Sequence, residues 1–286
     1  MVHNQSATQQ AQAIQKKHGT SYYLATQFFP KKLRKATYAL YAFVRIPDQI
    51  VDEPGNPAEA RAELEKWIAA WKGEMEGKPS GDPLIQLSTE LFREYGVERK
   101  YGEDFLGAML QDTEKTRYKN YEELEGYMYG SAVVVGLMMA QIIGVVEGAN
   151  EEEVRKSATY LGNAMQLTNF LRDIDEDYRE RGRIYLPQDE MRRYGVSDSD
   201  IAERSASDNL VRLMRFQVER SRNLFTEAEK GIHLLKPEGR RAVRLAGKLY
   251  ASILDSIASQ GYNPFAGRAR VSKWRKVKLI LKHYWR

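Results

Sequence analysis

A chain of 286 residues with 9 Pro and no Cys is long enough to bury a large core and has no linker-like stretch, so a single domain over 1–286 is expected. The missing Cys excludes disulfides, thiolate metal sites and Cys nucleophiles, and fits a reducing compartment. The net charge of +5 is local: residues 267–286 hold eight Lys or Arg and no acid, which leaves 36 basic against 39 acidic residues before them. The body is slightly acidic and offers no extended basic face for nucleic acid.

Strand-like alternation is almost absent and helical periodicity dominates, so the fold is expected to be all-α. The first twenty residues are polar and rich in Gln and Lys, without a secretory pattern. A first helix is expected over 6–28 and carries His18, Ser21, Tyr22 and Tyr23. Ser21 is able to hydrogen-bond a phosphate and His18 to add charge; a surface Ser and a packed His are the plain alternative. A second helix, 31–52, starts well after Pro30 and lines up Tyr38, Tyr41, Arg45, Asp48 and Asp52 on one stripe. Pro47 lies inside it, removes a hydrogen bond to the Phe43 carbonyl and predicts a kink beside Asp48.

Helices over 57–77, 83–95 and 98–112 lead to 121–147, the most apolar segment. From Ala132 to Val146 only Gln141 interrupts it, a run shorter than the roughly twenty residues of a membrane span. It reads as a central core helix. Ala132, Gly136 and Ala140 recur every four residues and predict a shallow small-residue groove.

The helix expected over 150–180 carries Gln166, Asn169, Asp173 and Asp177 on one stripe roughly 80° wide at about 100° per residue. Leu167, Phe170, Leu171 and Ile174 fill the adjoining face. Two amides and two carboxylates at the edge of a buried face are costly unless a cation sits among them. One Asp-x-x-x-Asp is commonly a solvated surface, but Asp48-Gln-Ile-Val-Asp52 repeats it on a separate helix, and together they make two walls. Oxygen ligands completed by water and phosphate suit magnesium. Magnesium bridging carboxylate and diphosphate neutralises a polyanionic leaving group. Arg45 and Arg172 are placed to grip the same phosphates by forked hydrogen bonds.

Arg179-Glu-Arg181-Gly-Arg183 follows, either a helix-ending linker or a basic flap. Helices over 187–194, 207–235 and 237–260 come next; Tyr250, on the last of these, reads by spacing as ordinary core. The tail, 269–284, interleaves aromatics with Lys and Arg. It suits an interfacial helix on an anionic membrane, with a basic helix over the acidic mouth as the alternative and nucleic acid a distant third.

Ser21-Tyr-Tyr-Leu-Ala, Tyr38-Ala-Leu-Tyr-Ala-Phe-Val-Arg45-Ile-Pro-Asp48-Gln-Ile-Val-Asp52-Glu and Gln166-x-x-Asn169-x-x-Arg172-Asp173 occur in that order. Gly182-Arg183-Ile-Tyr185-Leu-Pro187, Gly261-Tyr-Asn-Pro-Phe and Arg268-Ala-Arg270-Val-Ser-Lys273-Trp follow. In these pieces the chain resembles the squalene/phytoene synthase family of head-to-head prenyl transferases, and within it the phytoene synthases most, through Tyr41-Ala-Phe-Val-Arg45 and Asp52-Glu-Pro.

The resemblance implies an all-α, single-domain helical bundle of isoprenoid-synthase type around a central hydrophobic cavity, with the isoprenoid tail along the small-residue groove. It implies Mg2+, with Mn2+ as a substitute, held by Asp48, Asp52, Asn169, Asp173 and Asp177. Diphosphate would be bound by His18, Ser21, Arg45, Gln166, Asn169, Arg172, Arg183, Tyr250 and Arg270. Tyr127, rather than Tyr129, would lie near the reacting carbons, with Tyr41 as a further cation-facing ring. Gln49 departs from the family, where an acid often follows the first Asp, and removes one charge from that wall.

The expected reaction joins two geranylgeranyl diphosphates to phytoene through a cyclopropylcarbinyl diphosphate. The farnesyl version, giving squalene, presqualene diphosphate or dehydrosqualene, is the alternative, and a non-catalytic membrane-docking protein the third reading. No nicotinamide cofactor and no nucleic acid are expected. The partners would be prenyl diphosphates, with the chain a monomer or homodimer, cytoplasmic and peripheral on the inner face of the membrane.

Overall fold

The computed structural model describes residues 2–52 and 56–284; the turn expected at Glu53-Pro-Gly and the last two residues of the tail lie outside them. Fourteen α-helices are described. The first half of the chain contains α1 (Val2–His18), α2 (Thr20–Thr26), α3 (Lys31–Asp52), α4 (Pro57–Met75), α5 (Pro83–Tyr95), α6 (Arg99–Asp112) and α7 (Tyr121–Met128). A π-turn, Tyr129–Val133, joins α7 to α8 (Val134–Ile143). Then come α9 (Glu151–Arg181), α10 (Gln188–Tyr194), α11 (Asp198–Ala202), α12 (Asp208–Gly231), α13 (Pro237–Ser259) and α14 (Lys273–Tyr284). Among the described residues the only β pairing is one isolated antiparallel bridge between Val145 and Leu235.

Local chemistry explains most of the boundaries. Asn56, Asp82, Asn120, Asn150 and Ser207 accept hydrogen bonds from first-turn amides of their helices, satisfying donors that have no intrahelical partner. Pro57 and Pro83 add a preset φ at the helix start. At the other end of α9, Gly182 turns the chain out at φ 63°, a left-handed conformation that glycine adopts without steric cost.

The core is built around α3 and α9. Phe43 on α3 meets Trp67 and Trp71 of α4, Phe92 of α5 and Phe105 of α6, with ring centroids 5.3–5.8 Å apart. On the other side, α9 packs against α8, α12 and α13, and its Leu171 and Ile174 join Leu213, Met214 and Leu254 in a second core cluster. The stretch Tyr121–Ile143 is long and apolar enough to cross a membrane, yet 61% of its most apolar window is buried inside the bundle. It is a core element, as its sequence suggests.

Four expectations change. The helix expected over 6–28 breaks at Gly19, whose ψ of 53° is not helical; the ring of Tyr41 leaves no room there for a side chain, since a Cβ would fall 2.7 Å from it. The helix expected over 121–147 widens into the π-turn and ends at Ile143. The short α11, capped by Ser197 and Asp200, was not anticipated. The small-residue groove is narrowed at Gly136 by helix packing, with Ala132 and Gly136 still partly exposed. A Cβ on Gly136 would lie 3.2 Å from the Ala158 carbonyl oxygen, and one on Gly162 would lie 2.8 Å from the Val133 Cα. The small residues let α9 approach the π-turn and α8 backbone to backbone. Gly162→Val is therefore expected to destabilise the protein by about 1–3 kcal/mol, read as a lower midpoint in chemical denaturation; an unchanged midpoint would show that the helices do not meet this closely.

Candidate active site

The two acidic stripes face each other across a cleft between α3 and α9. Arg181, in the last turn of α9, bridges them: its Nε lies 2.9 Å from Asp52 and its Nη1 3.5 Å from Asp177. Arg183, just past Gly182, reaches the same wall and donates to Asp52 at 3.2 Å, to the Val51 carbonyl at 3.3 Å and to the Asp112 carbonyl at 2.8 Å. On the α3 side Arg45 pairs with Asp48 one turn along. On the α9 side Asp173 takes a fork from Arg172, at 2.8 and 2.5 Å. A second arginine, Arg268, comes from the loop after α13, at 2.9 and 3.1 Å.

Crowding of like charges is visible in the acidities. Desolvation, then the charge of Asp52, pushes the Asp48 carboxyl up to about 6, against the pull of Arg45 and Arg181, although 37% of its side chain still reaches solvent. Burial, then Asp173, drives Asp177 well above the usual carboxylate range, with Arg181 opposing. Among the described residues no three acidic or His side chains form a ready-made metal cluster; arginines interleave the carboxylates instead. The donor set nevertheless fits a hard divalent cation. It is all oxygen, and Asn169 Oδ1 is buried without a hydrogen-bond partner one turn before Asp173.

The remaining expected residues divide. Gln166 accepts from Asn169 at 3.3 Å and donates to Ser131 in the π-turn at 3.4 Å. Tyr250 is buried in the second core cluster, and burial raises its pKa against the pull of Arg172; its ring lies 4.8 Å from that of Tyr22, which lies 6.2 Å from Tyr41. His18 and Ser21 flank the Gly19 break. His18 is exposed, and partial burial, then the charge of nearby Arg45, lowers its pKa. Tyr127 is buried, whereas Tyr129 is 37% exposed. Two placements differ. Tyr38 leaves the stripe for a small core cluster with Ala11 and Ala42. Arg270 is exposed and offers its backbone carbonyl to Ser256 at 3.3 Å, so Arg268 is the tail arginine that reaches Asp173.

Below the carboxylates lies an aromatic box. Phe170 and Tyr185 stack at 4.0 Å, and Tyr127 lies 5.3 Å from Tyr118 and 5.8 Å from Tyr185. The Tyr127 hydroxyl donates to the buried Asp112 at 2.6 Å. Arg181, Arg268 and Tyr22 stand in sequence motifs without the partners the structure gives them, whereas Asp112 was not singled out. It left a local trace: it continues the buried stripe Tyr101, Phe105, Ala108 of α6, where an acid is out of place. A hollow of about 170 Å3 opens beside the site between Arg172, Glu176 and Arg268. A separate one of about 550 Å3, lined by Lys115, Arg117 and Arg192, lies away from the carboxylates.

Comparison with known proteins agrees with this geometry. The squalene/phytoene synthase family profile matches residues 15–275. Chloroplastic phytoene synthases from an Oncidium hybrid cultivar and from Arabidopsis thaliana are each 37% identical, over 93% and 92% of this chain. The chain spans 65% and 62% of those relatives' own lengths. A dehydrosqualene synthase crystal structure superposes with a TM-score of 0.89 at 30% identity, covering 99% of this chain and 96% of that one. A squalene synthase from Alicyclobacillus acidocaldarius gives 0.81 at 26% identity, covering 93% and 98%. The fold is that of an all-helical isoprenoid synthase. The chain belongs to the squalene/phytoene synthase family.

Proposed function

We propose that this chain is a head-to-head prenyl transferase of the phytoene synthase type, joining two geranylgeranyl diphosphates and releasing diphosphate. The observation that carries the reading is the bridge of Arg181 between Asp52 and Asp177, which sets two acidic walls face to face above an aromatic box. Asp48, Asp52, Asn169, Asp173 and Asp177 are the residues that would hold Mg2+, or Mn2+ in its place. When bound, such a cation would take up the negative charge of the departing diphosphate.

The chain's own groups do the rest. Arg45, Arg172, Arg183 and Arg268 already gather at the carboxylates, and each can turn forked donors to a diphosphate. Ser21 and His18, on either side of the Gly19 break, would add a hydroxyl and a charge to the diphosphate. The faces of Tyr22, Tyr41 and Tyr250 offer electron density to a developing allylic cation, while Phe170, Tyr185 and Tyr127 keep water from it. The reaction as proposed sheds a proton and calls for no nicotinamide cofactor. The farnesyl version stays in view because the dehydrosqualene synthase fold superposes over nearly the whole chain. The purified chain, offered geranylgeranyl and farnesyl diphosphates side by side with Mg2+, is expected to release diphosphate and make phytoene. A dehydrosqualene-type product would move the reading to the shorter substrate, and no turnover with either would refute it.

The same reading includes peripheral docking on the inner face of the cytoplasmic membrane, as a monomer or homodimer. Leu279 and Ile280 of α14 tuck against Ala25, Leu245 and Leu249, and Arg275 pairs with Asp255 of α13. Arg268, ahead of the helix in the chain, reaches Asp173, while the helix itself thus lies on α13. Its outer face exposes Trp274 (85%), Val277 (45%) and Leu281 (53%) among exposed Arg275 and Lys278. Spacing of three and four residues makes one apolar ridge with a basic border, suited to an anionic bilayer. Trp274→Glu with Leu281→Glu should weaken flotation with phosphatidylglycerol vesicles by at least about tenfold; unchanged binding would retire this surface.

A further inference from the structure

The Tyr127–Asp112 contact has the features of a working pair rather than a packing accident. Both side chains are buried, at 4% and 6% exposure, and the hydroxyl donates at 2.6 Å. The second carboxyl oxygen of Asp112 has no hydrogen-bond partner, and neither has the buried hydroxyl of the adjoining Tyr118. A carboxyl group left half-satisfied on the apolar stripe of a helix is costly and is more than packing requires. Its backbone carbonyl is held by Arg183, the residue that also holds Asp52. Asp112 is therefore tied to the diphosphate end of the cleft from one side and to the aromatic box from the other.

We propose that Asp112 is a positioning residue that acts through Tyr127, aiming the phenol oxygen at the reacting carbons and holding the proton that Tyr127 gives up. The inference rests on the head-to-head reading. Coupling two allylic chains through the carbons that carried diphosphate leaves a cation, which is discharged when a C–H bond on one of those carbons breaks. The electron pair of that bond becomes the second bond of a carbon–carbon double bond between the joined carbons. The proton passes to Tyr127 Oη as the phenol's own proton passes to Asp112 Oδ2, leaving a neutral carboxylic acid and an intact tyrosine. No oxidant or reductant is consumed. Burial pushes the Asp112 carboxyl up to about 7, against Arg183 and the Tyr127 hydrogen bond, with the charges of Asp52 and Asp48 assisting. A group with that acidity can hold such a proton and give it back.

The test is a set of Asp112→Asn, Asp112→Ala, Asp112→Glu, Tyr127→Phe and Asp112→Asn/Tyr127→Phe variants of the full chain. Folding is checked by thermal melting, and kinetics are run on native and C1-deuterated prenyl diphosphate. Asp112→Asn keeps the shape and the acceptor but cannot take the proton. Its kcat should fall by about 10²-fold with KM within about twofold, and a deuterium isotope effect larger than the native one should appear. Asp112→Glu should recover part of what Asp112→Ala loses, and the double variant should be no slower than the worse single one. A folded Asp112→Asn with kcat within about threefold of native would overturn the inference. So would a loss with no isotope effect, or a double variant that loses the product of the two single effects. A native chain that turns over neither substrate removes the head-to-head reading and this inference with it; an active native chain indifferent to Asp112→Asn removes only the inference.

Discussion

Asp173→Asn is expected to cut diphosphate release by at least about 10³-fold while the protein stays folded. Asp173 receives two forked guanidinium groups, from Arg172 and from Arg268, so its carboxylate sets the position of both cations as well as offering oxygen to a metal. Asn replaces two charged oxygens with one neutral one, and neither fork closes on it. Loss of one preorganised electrostatic group in a catalytic site typically costs 10² to 10³ in rate, and here three such groups depend on one side chain. Stability should move little, because the lost ion pairs are offset by relief of the repulsion that Asp173 exerts on Asp177. Diphosphate release with saturating Mg2+, beside a thermal melt, checks both halves. A folded variant working at the native rate would overturn the role.

The second large effect is on stability. Arg183 is 7% exposed and donates to Asp52 and to the carbonyls of Val51 and Asp112. It stitches the ends of α3 and α6 to the exit of α9. Arg183→Met fills similar volume, removes every donor and leaves two buried carbonyls unpaired, with Asp52 held by Arg181 alone. Breaking a buried pair on one side costs about 3–5 kcal/mol; the partly exposed Asp52, at 26%, argues for the lower end, about 3 kcal/mol. In a chain of this size that is a fall in Tm on the order of 10 °C, seen by calorimetry without ligand. Arg183→Lys keeps the charge but not the fork and should fall between. An unchanged melting temperature for Arg183→Met would show that these contacts are not holding the cleft.

The parts of the site that were legible in the sequence are those whose residues share a helix. Asp173 and Asp177, or Asp48 and Asp52, announce themselves because four residues return a side chain to the same face. The helices themselves were legible for the same reason, and Pro30 marked the start of α3. What stayed hidden depends on distance along the chain. Arg268 and Arg270 are equivalent in a list of residues, and only the path of the loop after α13 sets one on Asp173 and turns the other to solvent. Gly19 has no room for a side chain because of Tyr41, more than twenty residues away. The Ala132, Gly136, Ala140 repeat predicts a shallow groove without saying what approaches it; at Gly136 that is the Ala158 carbonyl of α9. Asp112 was readable in principle, as an acid on an apolar stripe, but its partner Tyr127 is on another helix.

The unbroken run of α9 has a consequence for altering this protein. Thirty-one residues at about 1.5 Å each make a rod of about 46 Å, with Gly162 wedged against the π-turn near its middle and Asp173 about 16 Å further on. Any swelling at the wedge tilts the rod like an oar in its rowlock, and the tip that travels is the one carrying the acids. Attempts to change which chain lengths are accepted should therefore leave this rod alone and recarve the surfaces facing it.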